Sequence, residues 1–382
     1  MLDLARQYAV IGEEVQAAIA DVCAGGRFIL GREVGEFEAA AAKHSGATQG
    51  VGCASGTDAL WLAMESAMVG AGDAVVTTPF TFFASVSSIT WCGATPILAD
   101  IDPMTFNLSP ERVREAISTT KDVKAVMSVH LYGQCVDWDS FAEIKRELGV
   151  LLIEDAAQAF GARWNGVPAG GLGDAAAFSF YPTKNLSAFG DAGLLTTNDE
   201  TLAERARMLR QHGMRRRYYH DEIGWNSRLD TIQAAVLLVK LRHIEQWNEA
   251  RRSVATRYDA LFAEAGIVTE FVPTIAGAKP ADDGVVLPFT DTRAHHVWHQ
   301  YVIRAPRRDA LRAHLTERGI GTEIYYPLPL HLQESLRYLG YREGDFPESE
   351  RAAREVLALP MYPELREEEQ AHVVEAIRSF YR

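Results

Sequence analysis

The strongest constraint on the fold is an alternation between short apolar runs and amphipathic segments, which extends from about residue 50 to about residue 200. Helical patterns such as SPERVREAIS (109–118) and DWDSFAEIKRELG (137–149) separate several of the runs. The apolar runs are AVVTTP (74–79), ATPILAD (94–100), AVMSVHLY (125–132), VLLIEDAA (150–157), AAAFSFY (175–181) and GLLTTN (193–198). Strands that are buried on both faces and separated by helices form a mostly parallel sheet covered by helices. We therefore predict an α/β fold.

The chain changes character after this region, and its 382 residues exceed the usual size of a single core. A long helical pattern covers residues 226–250. The segments that follow are YVIR (301–304), a helical RRDALRAHLTERG (307–319) and the proline-interrupted IYYPLPLHLQ (324–333). We predict a large domain over residues 1–248 and a smaller C-terminal α+β domain over residues 249–382. PTIAGAKPADDG (273–284) reads as a surface excursion within the second domain.

The overall charge argues against several classes of partner. Lys and Arg number 38 against 51 Asp and Glu, which gives a formal net charge of −13. A surface of this kind does not favour nucleic acid or anionic lipid. Four isolated cysteines form no metal or redox motif, so we expect no metal site and read them as reduced core thiols: Cys23, Cys53, Cys92 and Cys135. No secretory or membrane-spanning pattern is evident at the N-terminus, so we expect a cytoplasmic protein.

Polar residues follow several of the predicted strands, at the edge of the sheet where ligands bind in such folds. Ser55, Gly56 and Thr57 precede the strong helical pattern DALWLAMESA, and a glycine-containing helix start offers free backbone N–H groups to a phosphate. The same three residues also form an ordinary helix cap.

A carboxylate and a lysine follow two neighbouring apolar runs. In LLIEDAAQAFGA (151–162), Asp155 ends a strand and Gln158 follows it; a helix-capping role for Asp155 is an equal alternative. In FSFYPTKNLSAFGDAG (178–193), Lys184 follows a strand that contains Ser179, and glycines permit a tight return. A turn lysine on the surface is the ordinary alternative, although the apolar flanks favour an internal turn.

Together these residues match the requirements of one cofactor, pyridoxal 5'-phosphate. A lysine amine forms a Schiff base with its aldehyde, and a carboxylate keeps the ring nitrogen protonated. An aromatic side chain stacks on the ring, for which Phe82 in PFTFFAS (79–85) is placed, although aromatics there are usually core. A helix start with hydroxyls holds the phosphate.

With these residues in place, the sequence resembles the DegT/StrS-type pyridoxal-phosphate-dependent sugar aminotransferases over nearly its whole length. The motifs that carry the resemblance occur in the family's order: SGTDAL, TFFAS, DIDPMTFNLSP, VHLYGQ, EDAAQAFGA, FSFYPTKNLSAFGDAG, NSRLDTIQAA and PLHLQ. The resemblance implies the type I aminotransferase fold. It also implies that Lys184 forms the Schiff base, that Asp155 pairs with the pyridine nitrogen and that Gln158 neighbours the phenolic oxygen.

The same resemblance assigns the remaining cofactor contacts. Gly56, Thr57 and Ser179 match the phosphate-binding positions, and Phe82 matches the stacking position. Asn226 matches an asparagine that reaches the phosphate from the neighbouring subunit, which implies a homodimer with shared active sites. Candidates for the substrate are Tyr181, Arg228, Tyr325, His331 and the run Arg215 to Arg217. A hydrogen-bonded structural histidine is the alternative for His331. A solvated loop is the stronger alternative for the arginine run.

The predicted activity is transfer of an amino group from an amino acid, by resemblance L-glutamate, to a keto-sugar linked to UDP or dTDP. Lys184 favours this reaction, because relatives that remove a hydroxyl group carry histidine at that position. The turn FYPTKNLSAFGDAG resembles the branch that acts on 3-keto rather than 4-keto sugars, although Tyr325 stands where that branch often has histidine. The alternatives are a dehydratase or isomerase, a cyclitol aminotransferase, and a regulatory homologue without turnover.

Overall fold

The computed structural model describes residues 2–271 and 284–382, and it contains a seven-stranded sheet with helices on both faces. The helices are α1 Leu4–Gly25, α2 Arg32–His44, α3 Gly56–Ser66, α4 Ala84–Trp91, α5 Pro110–Thr119, α6 Trp138–Leu148, α7 Glu200–Leu209, α8 Thr231–Leu241, α9 Ile244–Ala265, α10 Arg308–Glu317, α11 Pro347–Glu355 and α12 Glu367–Tyr381. Short 3-10 turns cover Leu131–Gly133, Leu330–Leu332 and Glu334–Leu339.

The strands divide among one large sheet and three small ones. In chain order they are β1 Gln49–Cys53, β2 Ala74–Thr77, β3 Thr95–Leu98, β4 Val123–Val129, β5 Leu151–Asp155, β6 Arg163–Trp164, β7 Val167–Pro168, β8 Ala175–Ser179, β9 Gly193–Thr197, β10 Met214–Arg216, β11 Tyr219–His220, β12 Ala294–His295, β13 Tyr301–Arg304 and β14 Val356–Leu359. The large sheet has the order β1-β9-β8-β5-β4-β2-β3.

The large sheet is mostly parallel, as predicted. Strand β9 is antiparallel to both of its neighbours, β8 and β1, whereas β3, β2, β4, β5 and β8 pair in parallel. Residues 180–192 connect β8 to β9 through a turn without a helix, and β9 returns antiparallel beside β8. This turn contains Lys184. Strand β1 was not predicted, since its sequence QGVGC contains two glycines and lacks a continuous apolar run.

Side chains of the central strands alternate between two apolar cores, one on each face of the sheet. Val126 and Leu152 contribute to the core formed with α1, α2, α5, α6 and α8. Ala125 and Ile153 contribute to the opposite core, formed with α3, α4 and α7. Burial on both faces accounts for the near-continuous apolar sequence of these strands.

The predicted helix over residues 226–250 is wrong in its bounds. Residues 226–230 are not helical, and a turn at Arg242 and His243 separates α8 from α9. The preceding segment is held against residues 28–31: Asp230 forms a β-bridge with Ile29, and Thr231 N–H donates to Phe28 O at 3.0 Å. These tertiary contacts override the local helical pattern.

Helix α9 passes from the first core into the C-terminal part of the chain. Ile244 belongs to the core of the large sheet, whereas Tyr258 and Phe262 pack in a separate core with β13, β14, α10 and α12. The predicted boundary at residues 248 and 249 lies inside this helix and stays a prediction. The N-terminus also reaches the C-terminal part, because Arg6 on α1 pairs with Glu369 at 2.6 Å.

Three further expectations concern the cysteines, residues 273–284 and the membrane. Cys53, Cys92 and Cys135 are buried, but Cys23 is exposed on α1 and is not a core thiol. Burial raises the pKa of the Cys53 and Cys135 thiols. The surface excursion predicted for residues 273–284 lies outside the described residues except for Gly284. None of the described helices is long and apolar enough to cross a membrane.

Candidate active site

The predicted site residues gather at the carboxyl edge of the central strands. Asp155 is the last residue of β5, Ser179 is the last residue of β8, and the Lys184 turn follows Ser179. The register aligns Asp155 with Ala177, and Ser179 with Gly193 at the beginning of β9. Because parallel strands end at a common edge, residues far apart in the sequence meet here.

Two glycines bring the start of α3 against the end of β8. A Cβ atom on Gly56 would lie 2.6 Å from the Cβ of Ser179, and one on Gly193 would lie 2.1 Å from Ser55 O. Ser55 caps the helix by accepting the N–H of Asp58 at 3.1 Å. The first backbone N–H groups of α3, the half-buried Thr57 and the Ser179 hydroxyl therefore form one cradle of donors, which suits a phosphate.

The carboxylate of Asp155 is buried, with 5% of its surface exposed, and it has two hydrogen-bond donors. Its Oδ2 accepts the Ser85 hydroxyl at 2.7 Å, and its Oδ1 accepts the N–H of Ala157 at 3.2 Å. Burial raises the pKa of the carboxyl group, while these hydrogen bonds and the charge of Lys184 lower it. A buried acid with these partners can hold a protonated ring nitrogen.

Lys184 is half-buried in the turn that follows β8, at the same edge of the sheet. Desolvation lowers the pKa of its amine to about 8, whereas the charge of Asp155 opposes that shift. An amine with this pKa is partly neutral near physiological pH, and therefore nucleophilic and able to transfer protons. The internal-turn prediction for Lys184 agrees with this environment.

The residue after Lys184 fixes the turn. Asn185 Nδ2 donates to Asn248 Oδ1 at 2.8 Å and to Val297 O at 2.9 Å. Its Oδ1 lies 3.0 Å from His299 Nδ1, so this ring nitrogen carries the proton. Burial lowers the pKa of His299 well below its usual value, which keeps the imidazole neutral beside Lys184. Asn185 was not predicted as a site residue, although it directly follows Lys184 in FSFYPTKNLSAFGDAG.

Gln158 is oriented by two contacts on opposite ends of its amide. Its Oε1 accepts the N–H of Tyr132 at 2.7 Å, and its Nε2 donates to the hydroxyl of Tyr326 at 3.1 Å. Phe82 lies nearby with 60% of its surface exposed, and its ring is 6.3 Å from that of Tyr326. Tyr326 was not predicted as a site residue, and its position beside Tyr325 was the signal that could have identified it.

A second buried acid lies next to Asp155 in the sequence but faces away from the cleft. Glu154 accepts His130 Nε2 at 2.9 Å and the backbone N–H groups of three residues, Gly170, Leu172 and Gly173, at 2.7 to 3.0 Å. His130 Nδ1 accepts the N–H of Val136 at 3.2 Å. Every one of these contacts is internal, so Glu154 stabilises the loop that follows β7.

The candidate substrate residues do not all reach the site. His331 is 1% exposed and its Nε2 is 3.0 Å from Glu350 Oε1, which is the environment of a structural histidine. Tyr181 is 52% exposed next to the Lys184 turn. Tyr325 is half-buried, and its carbonyl oxygen accepts the hydroxyl of Tyr132. Burial raises the pKa of the Tyr325 phenol.

The segment that contains Asn226 contacts the chain just before the phosphate cradle. The N–H of Ala54 donates to Ser227 Oγ at 3.3 Å, whereas Asn226 is exposed and Arg228 is half-buried. The arginine run precedes this segment on the β10–β11 hairpin, and Arg216 stacks 3.6 Å from the ring centre of Tyr219. The phosphate contact of Asn226 from a neighbouring subunit stays a prediction.

The contents of this site fit one cofactor type. Among residues 2–271 and 284–382, no cluster of histidine, cysteine or acidic residues could hold a metal. The phosphate cradle, the Asp155 carboxylate, the Lys184 amine and the exposed Phe82 ring instead meet at one edge of the sheet. This donor set fits a phosphorylated pyridine aldehyde.

Comparison with known proteins agrees with a site for this cofactor. The model of the DegT/DnrJ/EryC1/StrS aminotransferase family matches residues 9–378. The chain belongs to this family. A dTDP-3-amino-3,4,6-trideoxy-alpha-D-glucose transaminase from Streptomyces venezuelae is 41% identical over 379 residues, which cover 99% of this chain and 95% of the relative. A pleiotropic regulatory protein from Geobacillus stearothermophilus is 49% identical over 382 residues, covering 100% of this chain and 98% of the relative.

A crystal structure of S. venezuelae DesV in complex with a ketimine intermediate has a TM-score of 0.92 and 40% sequence identity, covering 100% of this chain and 97% of that one. The predicted type I aminotransferase fold is therefore confirmed. The chain is an aminotransferase, and its cofactor is pyridoxal 5'-phosphate. The roles of the individual site residues stay predictions.

Proposed function

We propose that the chain transfers an amino group from L-glutamate to carbon 3 of a keto-sugar linked to dTDP or UDP. Membership of an aminotransferase family supports the reaction class. The Streptomyces venezuelae relative is named for a 3-amino sugar attached to dTDP, which supports the nucleotide-sugar class and the ring position. The turn FYPTKNLSAFGDAG supports the same position.

The observation that carries the proposal is the arrangement of Lys184 and Asp155 at one edge of the sheet. The charge of Asp155 raises the pKa of Lys184, but the larger effect of desolvation lowers that pKa to about 8. Such an amine can attack an aldehyde and accept a proton at neutral pH. A structural ion pair would instead keep the lysine charged.

Each residue of the site has a distinct part in the reaction. Bound pyridoxal phosphate supplies an aldehyde and an electron-accepting ring. Lys184 Nζ would hold that aldehyde and would accept the proton from the Cα of the amino donor. Asp155 would hold the protonated ring nitrogen. Gln158 would contact the phenolic oxygen, and the N-terminus of α3 would hold the phosphate with Thr57 and Ser179.

The substrate contacts belong to the same proposal. Tyr181 and Arg228 lie beside the Lys184 turn and the phosphate cradle, where a nucleotide sugar would enter. Tyr325 replaces the histidine expected in the 3-keto branch, so it would contact the sugar through a neutral phenol. His331 is left without a substrate role, because its imidazole is buried against Glu350.

The first prediction concerns the substrate and is tested in the reverse direction. Purified holoenzyme is incubated with 2-oxoglutarate and dTDP-3-amino sugars, and glutamate formation is followed by mass spectrometry. We expect glutamate from 3-amino substrates and at least about tenfold less from matched 4-amino substrates. UDP-linked substrates and an aminocyclitol complete the series, and Lys184→Ala is the inactive control.

Other outcomes identify the alternatives. Faster turnover of 4-amino substrates would contradict the assigned ring position, and turnover of the aminocyclitol alone would establish the cyclitol alternative. Loss of a sugar hydroxyl without glutamate formation would identify a dehydratase.

A regulatory role is the second candidate, because the 49% identical relative carries a regulatory name. The presence of both Lys184 and Asp155 favours turnover. Purified protein that stays colourless with pyridoxal phosphate would favour the regulatory role. Protein that binds the cofactor and transfers nitrogen would contradict it. The homodimer and the cytoplasmic location also stay predictions.

A further inference from the structure

Two buried hydroxyl groups form a chain that ends on Asp155. Ser85 Oγ donates to Asp155 Oδ2 at 2.7 Å, and Thr81 Oγ1 lies 2.9 Å from Ser85 Oγ. Ser85 is 0% exposed and Thr81 is 2% exposed. Both residues belong to the segment PFTFFAS (79–85), in which Phe82 is the predicted stacking residue.

The direction of this chain follows from the ionisation of Asp155. An ionised carboxylate can only accept hydrogen bonds, so the single hydrogen of Ser85 points to Asp155. Ser85 Oγ then accepts the hydrogen of Thr81. Such a hydrogen bond to a charged acceptor is stronger than one between neutral groups, and it favours the ionised acid.

Both hydroxyls are on the segment that also contains the exposed ring of Phe82. Thr81 precedes Phe82, and Ser85 is in the first turn of α4, which begins at Ala84. A single segment thus presents an aromatic face to the cleft and a hydroxyl to the acid at the base of the cleft. Movement of α4 would change both contacts together.

We propose that Ser85, supported by Thr81, is a positioning residue that holds the Asp155 carboxylate in place for the ring nitrogen of pyridoxal phosphate. This inference rests on the predicted pairing of Asp155 with that nitrogen, and it does not depend on the sugar substrate. The alternative is that the two hydroxyls only satisfy each other in a buried helix start.

The test compares two cofactors in the apoprotein: pyridoxal phosphate and its 1-deaza analogue, in which carbon replaces the ring nitrogen. The variants are Ser85→Ala, Thr81→Val and the matched control Ser88→Ala. Ser88 is 0% exposed on the same helix, and its hydroxyl donates to Ser85 O at 3.3 Å rather than to Asp155. Dissociation constants are measured by absorbance titration, and folding is checked by circular dichroism.

We expect Ser85→Ala to weaken binding of pyridoxal phosphate by about tenfold. Binding of the deaza analogue should change by less than about twofold, because it lacks the nitrogen that Asp155 would hold. Thr81→Val should weaken binding of pyridoxal phosphate by a smaller factor and again leave binding of the deaza analogue unchanged. If Ser85→Ala fails to fold, Thr81→Val takes its place in the test. Ser88→Ala should leave both affinities unchanged.

Three results would overturn the inference. Equal losses for both cofactors in Ser85→Ala would mean that the hydroxyl only supports the fold. An unchanged affinity for pyridoxal phosphate would mean that Asp155 needs no support from Ser85. Equal binding of both cofactors by the unmodified protein would remove the basis of the inference. Since no sugar is present, failure of the sugar assay leaves this test unaffected.

Discussion

Lys184 and Asp155 show how burial prepares two side chains for one task. Desolvation lowers the pKa of the lysine amine to about 8 and raises the pKa of the acid, so burial favours the neutral form of each. Donors from Ser85 and Ala157 oppose this effect at Asp155, whereas the charge of Asp155 opposes it at Lys184. The amine is therefore the group whose protonation changes near neutral pH.

The second prediction follows from this pKa. Only the neutral amine attacks an aldehyde, so the apoprotein should capture pyridoxal phosphate faster as the pH rises through about 8, with a plateau above that value. Stopped-flow absorbance at several pH values gives the midpoint, and Lys184→Ala should show no covalent capture. A rate that keeps rising to about pH 10.4, the usual pKa of an exposed lysine, would contradict the desolvated environment.

At the scale of elements, the site depends on how closely α3, β8 and β9 approach each other. Strand β9 returns beside β8 without a crossover, which places Gly193 against Ser55 at the start of α3. Gly56 then contacts Ser179 across the sheet edge. The phosphate cradle is consequently a product of strand pairing, and not of the helix start alone.

The third prediction concerns this contact. Gly56→Ala should weaken cofactor binding by about tenfold or more, because its Cβ would lie 2.6 Å from the Cβ of Ser179 and displace the helix start. Gly35→Ala on α2 is the matched control, since its Cβ would meet nothing within 4 Å. The control should bind normally and gain about 0.5–1 kcal/mol in stability. Equal affinity in both variants would contradict the cradle.

At the scale of the whole molecule, three large apolar side chains and Asn226 are exposed to solvent near the site. Phe28, Ile29 and Trp225 are each about half exposed, at 46%, 47% and 53%, and Asn226 is exposed in the same region. Large exposed apolar side chains around a binding cleft indicate a contact surface. A second copy of the chain covering this surface would complete the site with Asn226, as the family resemblance implies.

The fourth prediction tests that arrangement by subunit complementation. Lys184→Ala and Asn226→Ala proteins are each expected to have low activity at limiting cofactor. After the subunits are mixed and exchanged, about a quarter of the sites should combine an intact Lys184 with the partner's intact asparagine and regain activity. Light scattering checks the oligomeric state. Activity that never exceeds the sum of the two separate variants would contradict a shared site.

The sequence by itself determined the α/β class, the cofactor and the residues that meet at the sheet edge. Apolar runs identified the strands because their burial on both faces requires apolar side chains throughout. Lys184, Asp155 and Gly56 were identified because together they match what one cofactor needs and occur in the motifs of one family. These signals are local, so they can be read before the chain is folded.

Only the tertiary structure decided the antiparallel return of β9, the turn between α8 and α9, and the burial of His331 against Glu350. It also revealed the contacts of Ser85 and Asn185, which join residues 70 and 63 positions apart in the chain. Sequence patterns show how apolar residues are spaced along a segment and how polar that segment is. They do not report which distant groups a folded chain brings within hydrogen-bonding distance, because that depends on the packing of every element together.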